Sequence, residues 1–192
     1  MKHATILLLV AVSGCMTADR ADQIIAKQPV YMQEHIGEVK FQPLSLESIF
    51  YMGEVKGRAG KDGAVYNTEP NNPIHLYAMA DKVTLIHEAY HSFEVTIKQD
   101  DPNQWYRYYK DFNDGTPYGG YMEHLLCSMV PGWMYLPLDG HAYRYGNVNH
   151  WEDGACFWMR MAEGWEPKIT DETAWRKYTA VDNFVNGRYV GK

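Results

Sequence analysis

Apolar residues follow three different rhythms along this chain. In "MKHATILLLVAVSGCM" they run almost unbroken from Ala4 to Val12 behind one positive residue, Lys2. A run that short does not span a bilayer as a helix and fits the core of a signal peptide. Over residues 37–79 apolar and polar positions alternate in brief stretches. "GEVKFQPL" (37–44) and "SIFYMGEVKG" (48–57) read as short strands, or as a helix followed by a strand. The turn-rich "GRAGKDGAVYNTEPNNP" (57–73) leaves room for a brief strand at 64–67. "IHLYAM" (74–79) has the β-branched and aromatic character of a strand. After Asp81 the rhythm becomes helical: Val83, Ile86, Tyr90, Phe93 and Ile97 recur every three or four residues, predicting a helix to about Lys98 with Asp81 as its N-cap. Pro102 reinforces the stop. Further helices are predicted over 104–112, 121–130, 150–165 and 171–185, with a loop rich in Gly, Pro, Tyr and His at 132–149. The sum is an α+β fold, a short mixed sheet early and helices carrying the rest.

Composition narrows the class. A length of 192 residues points to one globular unit, and 46% hydrophobic with 14% aromatic residues is enough for a real core. The formal charge of −6 and the lack of a clustered basic stretch argue against a nucleic-acid partner. No repeat period or low-complexity tract is visible.

The end of the apolar leader, Val12-Ser13-Gly14-Cys15, resembles a bacterial lipobox, in which the cysteine is lipidated and becomes the first mature residue. That resemblance implies a signal peptide over 1–14, a lipid anchor on Cys15, a polar tether over 15–28 and a folded domain over 29–192. It also implies a cell-envelope protein; the absence of Asp after Cys15 favours the outer membrane, facing the periplasm or the cell surface. One acyl chain anchors only marginally, so several are expected. Cys127 and Cys156 remain, either as a disulfide, which an exported compartment permits, or as buried thiols.

The candidate chemistry lies in "LIHEAYHSFE", residues 85–94. On a helix, positions four apart lie about 40° apart around the axis and about 6 Å along it. His87 and His91 therefore project side by side and can reach one Zn²⁺. Glu88 is a further 100° or so round, suited to hydrogen-bond a metal-bound water as a general base. This HExxH stretch resembles the zincin metallopeptidases. The resemblance implies a small zincin-like domain, peptide-bond hydrolysis, one Zn²⁺ per chain, and an edge strand ahead of the helix that pairs with substrate. "IHLYAM" occupies that place.

A third ligand is required. "HSFEVTIK" after His91 lacks the Gly and His of the metzincin extension. "NHWEDGACFWMRM" resembles the helix of small glutamate-ligand zincins, of the type of the anthrax lethal factor catalytic domain, which carries Glu-Asp-x-Ala followed by an aromatic. That resemblance makes Glu152 the ligand, gives Asp153 the task of orienting a ligating histidine, and lets the small Ala155 bring two helices close. Gly154 departs from the apolar residue preferred there, and Cys156 replaces a common acid. A tyrosine two turns upstream would support the oxyanion: Tyr145 holds that offset and Tyr143 is its substitute. Glu123 in "YMEHLL" rivals Glu152 as ligand, and Asp114 is a more distant third. Glu94 reads either as a support for a ligand histidine or as a solvated residue. His141 and His150 read as loop residues or substrate contacts. The tryptophans and tyrosines from Trp105 to Trp165 read as core and cleft wall. The expected function is zinc-dependent endopeptidase activity on a protein or peptide, by a lipid-anchored exported protein. The alternative is a zincin-scaffold lipoprotein that binds an envelope partner without catalysis.

Overall fold

Side-chain caps divide the chain into its helices in the computed structural model, which describes residues 16–42, 53–55, 57–59, 65–67, 71–77, 80–113, 115, 117–130 and 133–191. Thr17 accepts from the Arg20 amide and opens α1 (Ala18–Ile25). A one-turn helix, α2 (Val30–Gln33), follows. Asp81 accepts from both the amide and the hydroxyl of Thr84 and opens α3 (Lys82–Asp100). Asp101 ends α3 and caps α4 (Pro102–Phe112), where Pro102 occupies a first-turn position that needs no amide donor. Next come α5 (Gly120–Met129) and two short 3₁₀ turns, Trp133–Tyr135 and Arg144–Val148. Asn149 then caps α6 (His150–Met161), and Asp171 caps α7 (Glu172–Val185).

The chain is α+β and mostly helical. Strands β1 (Val39–Phe41), β2 (Gly53–Val55) and β5 (Ile74–Leu76) form one sheet in the order β1-β5-β2; β3 (Gly57–Ala59) and β4 (Val65–Asn67) form a separate antiparallel pair. β5 runs parallel to β1, with Val39 opposite Ile74, and antiparallel to β2, with Gly53 opposite Leu76. The strand expected to be an edge is therefore the central one, paired on both sides and fully buried. Strand order depends on contacts distant in sequence, which a local pattern does not encode.

α3 is the axis of the molecule. Ile86, Tyr90, Phe93 and Ile97 are buried as their spacing predicts, and Val83 is half-buried. The sheet and α1 lie against α3 on some sides, α4 and α6 on others, and α7 closes over α4 and α6. Phe184 of α7 stacks on Tyr108 at 4.0 Å between ring centroids and meets Phe93 at 4.8 Å. At the sheet end, the Gly37 amide donates to Ser92 Oγ (2.8 Å), whose hydroxyl donates to the Asn72 carbonyl (2.7 Å). A side chain at Gly37 would run into the Asn71 and Asn72 backbone, so glycine is needed for this approach.

The expected tether is not one from Met16 onward. Met16, Ala21 and Ile24 are buried in the core, and Gln28 is buried with its Oε1 accepting from Trp158 Nε1 at 3.0 Å. Ala21 and Ile24 stand three apart behind a capped start, so α1 is amphipathic and docks rather than dangling. The domain thus begins ahead of residue 29. The leader, Cys15 and Asp114 lie outside the described residues. Cys127 and Cys156 are free, buried thiols, which removes the disulfide alternative for this structure. No described helix is long and apolar enough to cross a membrane.

Candidate metal centre

α3 and α6 cross where their polar faces meet, and the crossing brings three ligand-type atoms together. His87 Nε2 lies 3.1 Å from Glu152 Oε2 and 3.1 Å from His91 Nε2; His91 Nε2 lies 3.4 Å from Glu152 Oε2. The two imidazole rings stand nearly perpendicular, at 82°. Ligands held tetrahedrally at about 2.0–2.1 Å from one cation stand about 3.3 Å from each other. The observed triangle has those dimensions, and these three residues form a group that could hold a metal ion.

Each corner is positioned by local sequence. Asp81 starts the helix that carries both histidines. Asn149 Oδ1 accepts from the Trp151 and Glu152 amides at 2.9 and 3.0 Å, which fixes the first turn of α6 and with it the direction of Glu152. Two residues on, Gly154 lies against Tyr90 and Tyr108, whose hydroxyls bond each other at 2.7 Å. A Cβ there would sit 2.9 Å from both hydroxyl oxygens. The departure noted at Gly154 is thus the feature that admits the α3–α6 crossing, together with fully buried Ala155.

The side chains of His87, His91 and Glu152 keep 14%, 15% and 21% of their exposure, so the cluster is walled but open to solvent. Burial disfavours the charged form of Glu152, but His91 and His87 more than offset it and hold the carboxyl far below its usual range. Glu88 is half-buried on the same helical turn. The ring of Tyr145 lies 6.1 Å from that of His87. Burial first, then the carboxylates Glu152 and Glu88 among its neighbours, push the Tyr145 phenol far above its normal pKa, so it stays a hydrogen-bond donor.

The other candidates are occupied elsewhere. Tyr143 accepts from Arg160 Nη1 at 3.2 Å, with the guanidinium 4.7 Å over its ring. Glu123 is buried beside Trp133 Nε1 (3.1 Å) and Arg144 (3.6 Å), a neutralising pair away from the histidines. Asp153 does not orient a ligand histidine. It is fully buried, 2.6 Å from Lys177 Nζ, 3.0 Å from His141 Nδ1 and 3.2 Å from the Tyr118 hydroxyl that donates to it. His141 is therefore part of the interior, a role that only the distant Lys177 and Tyr118 explain. Glu94 is neither solvated nor bonded to a histidine. It is fully buried, accepts from Trp105 Nε1 at 3.1 Å, and has its pKa pushed well up by burial, against the lowering effects of Trp105 and Lys98. Its neighbours Trp105 and Trp151 stack at 5.7 Å under Lys98. His150 packs against the same rings, and burial with nearby Lys98 lowers its pKa to about 4. Its helical start position gave no sign of that burial.

Compared with protein-family models, curated proteins and solved structures, the chain matches none.

Proposed function

We propose that the protein is a zinc-dependent peptidase of the zincin type, exported and held at the cell envelope by a lipid on Cys15. The observation that carries the reading is the convergence of His87, His91 and Glu152 on one point, with Glu88 on the same turn as the histidines. Two imidazole nitrogens and one carboxylate oxygen are a common catalytic zinc set, which leaves a fourth position for water or substrate. Zn²⁺ held there supplies Lewis acidity, polarising a carbonyl and acidifying water. Glu88 takes the proton of the attacking water and returns it to the leaving amine. Tyr145, kept protonated, donates to the carbonyl oxygen as negative charge develops on it.

The central position of β5 transfers one expected role. An extended peptide adds to an outer strand, not to one paired on both sides. β2, an outer strand of the described sheet and packed near α3, takes the place first assigned to Ile74–Met79.

Glu88→Gln tests the reading. It keeps the side-chain volume and removes the base, so the variant retains one zinc per chain while cleavage of a mixed peptide library falls by about 10²- to 10⁴-fold. Cleavage equal to the parent protein would refute the mechanism.

A further inference from the structure

A cavity of about 340 Å³ opens where α1 meets the start of α3 and the end of α6. Buried Ile24, Ile86 and Trp158 form its floor. Its rim carries Arg20, Lys27 and Lys82, all exposed, and no acid is among the described residues that line it. In a chain with a formal charge of −6, three cations around one concavity make a local field opposite in sign to the whole. Such a field draws an anion.

α1 sorts its charges to build this rim. At about 100° per residue, Arg20, Gln23 and Lys27 fall within an arc of about 60°. Asp22 lies about 140–160° round the helix from the two cations, and Asp19 about 80–100°. Lys82 joins them from the first turn of α3. Its neighbour Asp81 is engaged, accepting from the amide and hydroxyl of Thr84. Deeper in, Trp158 Nε1 donates to Gln28 Oε1 at 3.0 Å, and Gln28 Nε2 donates to the Ile24 carbonyl at 2.9 Å. A ligand therefore meets cations at the mouth and hydrocarbon within, which is the pattern for an amphiphile with an anionic head.

The place of the cavity selects the amphiphile. Cys15 directly precedes Met16, which is buried in the core, and α1 starts at Ala18. Five residues of chain, at no more than about 3.6 Å each, keep Arg20 within about 18 Å of Cys15. A lipid on Cys15 leaves α1 at the bilayer surface, with no tether to carry it away. We infer that the cavity binds the headgroup of an anionic glycerophospholipid, with its phosphate against Arg20, Lys27 and Lys82 and its first apolar carbons toward Ile24, Ile86 and Trp158. The choice of ligand rests on the lipid-anchor reading. A headgroup held there is the second contact that an acyl anchor needs, and it fixes which side of the domain faces the bilayer. A zwitterionic headgroup brings its own cation against three others and is disfavoured.

The test uses the full chain, purified from the membranes of an exporting bacterium in dodecyl maltoside. It is titrated by calorimetry with dihexanoyl-phosphatidylglycerol, dihexanoyl-phosphatidylcholine, sodium phosphate and a triglutamate peptide. Each Lys or Arg near an anionic lipid strengthens binding about fivefold, so phosphatidylglycerol binds at least about tenfold tighter than the other three. The triple variant Arg20→Gln, Lys27→Gln, Lys82→Gln loses that preference while circular dichroism and zinc content stay unchanged. Equal affinity for the two lipids, phosphate or triglutamate binding as tightly as phosphatidylglycerol, or a preference that survives the triple substitution overturns the inference. The intact mass of the same sample separates the two readings. A preference for phosphatidylglycerol in a chain without an acyl group on Cys15 sinks the anchor and leaves the cavity standing; an acylated chain without the preference sinks the cavity alone.

Discussion

Gly154→Ala probes the link between packing and site. The added methyl would sit 2.9 Å from the Tyr90 hydroxyl, from Tyr90 Cε1 and from the Tyr108 hydroxyl. Ordinary contact begins at 3.4 Å, so one side must yield by about 0.5 Å. The tyrosines cannot swing away easily: they bond each other at 2.7 Å, and Tyr108 is stacked on Phe184 at 4.0 Å. α6 therefore moves off α3, taking Glu152 with it. Overpacking of this kind costs about 1–3 kcal/mol, while alanine in a helix interior gains about 0.5–1 kcal/mol over glycine. Taking the middle of each range, the net loss is about 1 kcal/mol, read by urea denaturation of the metal-free protein. A shift of half an ångström in a triangle with edges of 3.1–3.4 Å weakens zinc by about tenfold, comparable to losing a supporting contact around a metal, read by competition with a chelating dye. A variant as stable as its parent, with unchanged zinc affinity, would refute this reasoning.

Glu152→Gln should lower zinc affinity by more than about 100-fold, whereas Glu123→Gln should leave it unchanged; chelator competition compares them directly. Tyr145→Phe should lower kcat by about 10²- to 10³-fold with zinc retained, and Tyr143→Phe should have little effect, as steady-state kinetics on any cleaved peptide would show. His150, with its pKa near 4 in the fold and about 6.5 unfolded, is protonated more readily in the unfolded chain. Its contribution is complete above about pH 6.5 and is lost as pH falls towards 4, up to about 3 kcal/mol, and His150→Gln should flatten that acid limb of a denaturation–pH profile. Glu94 acts with the opposite sign. Its folded pKa is raised, so stability falls as pH rises above about 4.3, and Glu94→Gln should be the more stable protein at neutral pH by a margin that shrinks on acidification.

What could be read in the sequence was local. His87, Glu88 and His91 needed only the pitch of one helix, and Asp81 announced where that helix starts. Glu152 is 65 residues away from His87, and only the resemblance of its Glu-Asp-x-Ala stretch to the glutamate-ligand zincins pointed to it. Tyr145 was expected from the same resemblance, with Tyr143 as its substitute; Tyr143 is held by Arg160, a partner no spacing rule names. The rest depended on long-range contacts. β5 became central because β1 and β2 flank it, and Asp153 was drawn inward by Lys177, 24 residues on. Glu94 looks like a solvated helix residue until Trp105 of the next helix covers it. α1 was mistaken for a tether because its two buried positions, Ala21 and Ile24, are a thin stripe among polar residues.

The most direct measurement is the zinc content and X-ray absorption spectrum of the purified full chain after zinc loading and dialysis. One zinc per chain is expected, with two imidazoles and one carboxylate oxygen among its neighbours, and loss of that zinc in the His87→Ala, His91→Ala protein. Zinc that stays bound in that double variant, or a parent chain that binds none, would contradict that expectation.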